Sequence, residues 1–569
     1  MGEFVTMLAT KFAQWLVGSS AVKAGTFAAK AAIFAAKTVI VGVPLLMAGK
    51  AMLPKMDLNS LLARSSMQRT PIASRKVVYG RAKVGGTILY MSEGTSGVAA
   101  NREHLYMVTA LSYKEIDSFE KIYANNEELT IDSSNGRVTS PSRYYPNSNP
   151  RFTFGVSSQM LGTTTQTLDS TVYSNTDLTS SDQFKGIACL QFWMAYDPEV
   201  FTSGIPNVTA LVKGRKVLDF RTSTTAWSDN PALIIYDYLT DTDYGLGVPV
   251  SRIDTTSFTA AANTCEEQVA LDTDPVTYEN RYTCNGVIDT AATISNNLEM
   301  LLSSCVGSLA YIDGKYKLRV GEWVAPTQTI TEEDLRGAVS LITKPSRREV
   351  FNTVKGIIVT EASNWQPADY PEVKNTAAIT AAGEEIKSEL PLPFTSSSSM
   401  AQRIAKIYLN KNLQDYTLTL PLKLTQFALE PSDTVNVTLE KSFGFKNKIF
   451  EVVSWSFGTS NGENGEMVLG VDVTLRETAS SVYDWAATDE TAMTESSAPT
   501  VTKIENVDAP SFSLAAITTK KADDGTLVDG CECSITDPTN NRHVVEYDVA
   551  YKKSSDSNFT EISVLRDSN

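Results

Sequence analysis

Beyond residue 56, short apolar runs alternate with polar positions and are punctuated by Gly, Pro, Asn and Ser, the pattern of half-buried strands and tight turns. Lys76-Val77-Val78-Tyr79-Gly80 and Gly86-Thr87-Ile88-Leu89-Tyr90 read as two short strands around a glycine-containing turn. Leu105 to Ser112 is a continuous apolar run of buried-strand length, and Ile187–Ala195 and Val208–Val212 predict two more strands. Lys213-Gly214-Arg215-Lys216 reads as a turn leading into Val217-Leu218-Asp219-Phe220. Residues 140–183 are dense in Ser, Thr, Asn, Pro and Tyr, and are expected to form long surface loops.

The spacing then turns helical. Ser228-Asp229-Asn230-Pro231 offers a cap and an early proline for a helix over Ala232–Leu239. Further helices are expected over 256–270, over 288–305 with Ile294, Leu298, Leu301 and Leu302 on one face, and over 400–412. Gly307 to Val320 predicts a hairpin turning at Asp313-Gly314. Strands resume at Tyr416–Leu422, Thr434–Leu439 and Lys448–Trp455, and alternation returns in Val544–Tyr551. The fold class this implies is α+β, β-rich and multidomain; at 569 residues the chain has room for about four domains.

Residues 1–56 follow a different pattern, rich in Ala, Val and Ile. Lys23, Lys30 and Lys37 fall seven apart and make one stripe of a helix, with Phe27 and Phe34 elsewhere around it. Glu3 occupies the place of a basic leader and the apolar part lies too far in, so a secretory signal is not expected here. The longest charge-free run, Thr38 to Gly49, contains Pro44 and falls short of the ~18–20 residues of a spanning helix. An N-terminal assembly helix with Lys23, Lys30, Lys37, Phe27 and Phe34 as its contact residues is the expectation, with membrane contact of residues 1–56 as the alternative.

Charge and composition narrow the function. Fifty Lys and Arg against 65 Asp and Glu leave a net charge of −15, which repels nucleic acid and argues against phosphate-backbone binding as the main task. With only His104 and His543 present, most imidazole catalysis and multi-His metal sites are excluded. Six cysteines are too dilute for a disulfide scaffold, and Cys531-Glu532-Cys533 reads as two small residues on a strand.

No motif specifies chemistry. Gly80 to Thr87 superficially echoes a phosphate loop but has glycine where lysine is required. Asp241-Thr242-Asp243-Tyr244-Gly245 lacks the distal glutamate of a calcium loop and reads as a surface turn after a helix. His104 is expected to hydrogen-bond at a strand edge. We expect no enzyme, no cofactor and no metal.

Several strings, in order, resemble the central tail-tip protein of long-tailed (siphovirus) bacteriophages, the family also called tip attachment protein J or the baseplate hub and central fibre protein. They are Gln68 to Gly80 continuing to Val84-Gly85-Gly86; Gly204 to Ala210; Lys213 to Val217; Asn230-Pro231-Ala232; Tyr244 to Gly247; Arg281 to Gly286; Arg347 to Asn352; and Leu475 to Thr478 with Tyr483-Asp484-Trp485. Arg, Gly and aromatic residues near strand ends also suit turns and protein contacts better than catalysis.

The resemblance implies tail hub domains over 57–345 with an inserted loop-rich β subdomain at about 92–215, and further β-rich hub domains over 346–485. Residues 486–498 are short, polar and acidic and read as a linker, and over 499–569 the resemblance implies a fibronectin type III β-sandwich, incomplete at Asn569. It implies a homotrimer at the tail tip of the virion, made in the host bacterial cytoplasm. That trimer would close the tail tube, carry host-attachment parts and open for DNA ejection, the DNA passing without specific binding. The implied partners are the distal tail ring protein, a neighbouring tail-tip protein, the tape-measure protein and, through parts beyond this sequence, a host surface receptor. The alternative is a bacterial surface adhesin with an N-terminal membrane anchor and β-sandwich modules.

Overall fold

The computed structural model describes residues 65–565, apart from residue 71, the short segments 96–102, 145–152, 196, 198–199, 202–203, 345–349 and 462–466, residues 494–509, and several stretches between 516 and 559. Lys23, Phe27, Lys30, Phe34, Lys37, Cys531 and His543 lie outside the described residues. Strand outweighs helix, 43% against 20%, so the β-rich reading holds. The chain divides into two units between Thr494 and Glu495.

In the first unit, strand Lys76–Tyr79 pairs antiparallel with Gly286–Asp289 and acts as a partition between two cores. Its alternation places Val77 and Tyr79 in one core and Val78 in the other; opposite it, Ile288 and Val287 divide the same way. Arg81–Gly85, expected as turn, is itself a strand; only Gly80, at φ 60°, makes the bend.

Val208–Asp219 is one strand of 12 residues, and the expected turn at 213–216 does not exist. Lys213 pairs with Arg81 and Ser118, and Lys216 with Trp227, so the ladder continues through. Gly214 serves close approach instead: a Cβ there would strike the Val78 carbonyl. Against this sheet lies a four-stranded sheet in the order Thr87–Thr95, Glu103–Tyr113, Ile187–Ala195, Phe154–Leu161. The last strand corrects the expectation of surface loop over 140–183, since Phe154, Val156 and Met160 are buried there. His104 is the second residue of the inner strand Glu103–Tyr113, buried beside the rings of Tyr106 and Trp193.

The larger core is built on helices. Pro231–Thr240 starts where Asn230 accepts from the Ala232 N–H. Thr255–Cys265 stops short of the expected 270, because Gln268–Ala270 turns into a hairpin strand. Ile294–Ser303 begins only after the strand Gly286–Asp289, which shortens the expected 288–305 helix. The hairpin Ser308–Ile312/Lys315–Arg319 turns at Asp313 and Gly314 with φ of 53° and 81°, the left-handed pair that a two-residue turn requires. Ser398–Asn412 packs against strands Thr353–Val359 and Pro367–Lys374.

The third core is a barrel. Six strands run in the order Gln328–Thr331, Thr434–Leu439, Phe445–Asn461, Met467–Glu477, Thr417–Lys423, Ser340–Ile342. Thr331 ends one edge strand, and Leu335, four residues on, bridges to Leu422 beside the other edge. Flat, those edges would stand about 24 Å apart at ~4.8 Å per strand, whereas four residues reach about 14 Å at most. The sheet therefore curls closed around Leu418, Leu420, Leu422, Val435, Val437, Val471 and Val473.

The second unit, taken by itself, shows three antiparallel strand pairs: Ser511–Leu514 with Cys533–Thr536, Thr518–Lys521 with Leu527–Gly530, and Glu546–Tyr551 with Thr560–Leu565.

Candidate functional site

Charged side chains from elements distant in the chain meet at several joints in the first unit. At the first, Arg215 leaves strand Val208–Asp219 and meets the C-terminal end of helix Pro231–Thr240. Its Nε lies 3.1 Å from Asp237 Oδ2 and its Nη1 2.9 Å from Asp241 Oδ2. Nη1 also donates to the Tyr244 hydroxyl, which lies 2.7 Å from the Tyr79 hydroxyl; Tyr79 in turn donates to Asp237. Both carboxylate side chains are nearly out of solvent, at 12% and 9% exposure. Burial pushes the Asp237 carboxyl up despite Arg215, and pushes the Tyr79 and Tyr244 phenols up further. The Asp241 turn, read from the sequence as surface, is thus the buried half of an ion pair. Asp243, two residues on, pairs with Lys114.

A second joint ties the strand Arg81–Gly85 to the small sheet around Thr353–Val359. Arg81 pairs with Glu120 and, at 2.7 Å, with Glu361, and its guanidinium lies 5.4 Å from the centre of the Trp365 ring. Trp365 holds a left-handed φ of 61°, a costly conformation for a bulky residue, inside the turn that presents Glu361.

The third joint is the helix Ser398–Asn412. Arg403, 1% exposed, donates from Nη2 to Glu279 Oε1 at 3.1 Å and to the Arg281 carbonyl at 2.7 Å. Lys411 lies 2.9 Å from Glu451 on the barrel; burial opposes its charge, and Glu451 more than restores it, holding the ammonium above its ordinary range. Another buried cation, Arg336, sits in the barrel wall on Asp472 and the Leu422 carbonyl.

Each joint is an ion pair or ion-pair cluster between elements distant in the chain. Among the described residues, no group of three or more His, Cys, Asp or Glu side chains is placed to hold a metal ion. No described helix is long and apolar enough to cross a membrane. Sequence reading missed the joints because each pairs residues far apart in the chain; the local signal was the strings Gln68 to Gly80, Lys213 to Val217 and Tyr244 to Gly247, which contribute Tyr79, Arg215 and Tyr244 to one cluster, and Arg281 to Gly286, which contributes Arg281 to the Arg403 joint.

Comparison with known proteins places this architecture. Residues 293–455, from the helix Ile294–Ser303 into the barrel, match the family model described as putative phage tail protein. The chain is 24% identical over 267 residues to the baseplate hub protein pb3 of Escherichia phage T5, an alignment covering 44% of this chain and 28% of that protein. The chain therefore spans less than a third of the length of that curated relative. Among solved structures, a chain from the virion of a native gene transfer agent particle shares the fold with a TM-score of 0.52 at 15% identity, over 78% of this chain and 92% of the other. The similarity is to structural proteins of phage tails and baseplate hubs, and these matches give no support to a surface adhesin.

Proposed function

We propose that this phage-tail-like chain is a virion protein forming the trimeric hub at the tail tip. The match to a baseplate hub protein at 24% identity carries the reading. Three copies would close the end of the tail tube, with the ionic joints keeping each subunit's domains in fixed register. The distal tail ring protein, a neighbouring tip protein and the tape-measure protein would be its contacts. Receptor engagement through C-terminal parts would open the closed trimer and release the DNA. Its role is mechanical and not enzymatic, a reading supported by the commitment of the joint carboxylates to ion pairs. The three strand pairs of the second unit support a fibronectin type III reading of residues 499–569.

Gold-labelled antibody against the purified chain, applied to tailed particles from the genome that encodes it, tests this placement. Label at one end of the tail is expected. Label along the tail, on the head or absent from particles would overturn it.

A further inference from the structure

After the barrel, residues 480–493 run back across the helix Ser398–Asn412 in the opposite direction. The order of contacts shows this. Thr491 exchanges two hydrogen bonds with the Gln402 amide, each 2.8 Å. Asp489 pairs with Lys406 at 2.8 Å, and Trp485 lies under the charges of Arg403 and Lys406, at 5.8 and 5.7 Å. Tyr483 lies 5.4 Å from the Lys411 ammonium, and the Val482 carbonyl meets Asn410 at 3.5 Å. Gln402, Lys406 and Asn410 are spaced four apart and make one helical stripe.

Every one of these polar contacts uses a side chain. The main-chain bonds of the segment are local, such as Asp489 N–H to Ala486 and Glu490 N–H to Ala487. Among the described residues, no main-chain hydrogen bond joins it to the helix.

Arg403 Nε and Nη1 and Trp485 Nε1 are buried and make no hydrogen bond to another protein group, so hydration on opening favours release. Water is near: a cleft of about 490 Å³ opens beside the segment, lined by Lys374, Asn375, Gln402, Lys406, Trp485 and Thr491.

We propose that residues 480–493 are a releasable strap, which peels from the helix beginning at Thr491 while the helix and barrel stay folded. The segment is the last described stretch of the first unit, which divides from the second between Thr494 and Glu495. Contacts aligned in series open one at a time, Gln402–Thr491 first and Lys406–Asp489 next. On the hub reading, on which its biological use rests, the strap turns tension from C-terminal parts into a local opening on the hub.

Hydrogen exchange of the purified full chain, followed by mass spectrometry, tests the strap without any virion. Peptides covering 480–493 should exchange about tenfold or more faster than those covering 400–411, the mark of a local opening. Gln402→Ala, and separately the surface change Asp489→Asn, should speed the strap by a further several-fold and leave the helix unchanged. Exchange of strap and helix in step, or variants that speed both equally or neither, would overturn the proposal. A tail-tip location refuted by gold labelling would leave this result standing.

Discussion

Arg215 Nη1 lies 2.9 Å from Asp241 Oδ2, and through this contact a strand of the sheet sandwich is fastened to the end of a helix in the larger core. The partner carboxylates, Asp237 and Asp241, have little other access to solvent, so the cation cannot be removed cheaply.

Arg215→Met should therefore cost about 3–5 kcal/mol, since it leaves buried carboxylates uncompensated. The loss should show as an earlier midpoint in urea unfolding followed by tryptophan fluorescence. Adding Asp241→Asn should recover part of it. A loss no larger than that of an exposed pair would show that water reaches the joint.

Acid should act on a different cluster. Arg221 holds the carboxyls of Asp219 and Glu266 below their ordinary range, chiefly by hydrogen bonding to them. Their folded values lie beneath the unfolded ones, so the unfolded chain binds more protons as pH falls. Their contribution is present above about pH 4.5 and lost progressively below it, as pH falls through the folded values. Melting temperature measured between about pH 3 and 7 should fall on the acid side in the native chain, and less steeply in Arg221→Gln. An unchanged acid slope in that variant would remove the cluster from the account.

How much of this was legible in the sequence depends on the range of each signal. Asn230-Pro231 and Asp313-Gly314 act on their own backbone, and both the helix start and the hairpin turn lie where the pattern put them. Lys213-Gly214-Arg215-Lys216 misled because glycine between charged residues looks like a turn, while the actual demand on Gly214 is made by Val78, more than a hundred residues away. Strand Phe154–Leu161 was hidden the same way: Ser157, Ser158 and Gln159 lower its apolar content, and only pairing with Ile187–Ala195 makes it a strand. The ionic joints were illegible for the same reason. An isolated Asp or Arg in an acidic chain looks like solvated surface until the fold brings its partner to it.

Gly470 in the barrel makes a sharp test of packing. A Cβ there would overlap the Arg336 side chain and the Leu422 carbonyl. Gly470→Ala should destabilise the barrel by about 1–3 kcal/mol, as overpacking does, and displace Arg336 from Asp472. Denaturation of the variant checks the first outcome and its crystal structure the second. A neutral change would mean that Arg336 moves freely aside.

Thiol reactivity should follow burial. Cys189 and Cys305 are buried, and their thiols are pushed up to about 12; Cys265 and Cys284 are raised as well. Of the described cysteines only Cys533 is exposed. Iodoacetamide at about pH 8 should label Cys533 and spare those four until denaturant is added, because only an accessible thiolate reacts. Peptide mass spectrometry reads the outcome, and early labelling of Cys265 or Cys305 would show that the helical core opens.

The central claim is a hub that assembles as three copies around a channel. Light scattering of the purified 569-residue chain, followed by electron microscopy of the same sample, tests it most directly. At 61.9 kDa per chain, the account predicts a species of about 186 kDa with threefold symmetry and a central channel. A stable monomer, or an assembly of another symmetry without a channel, would contradict it.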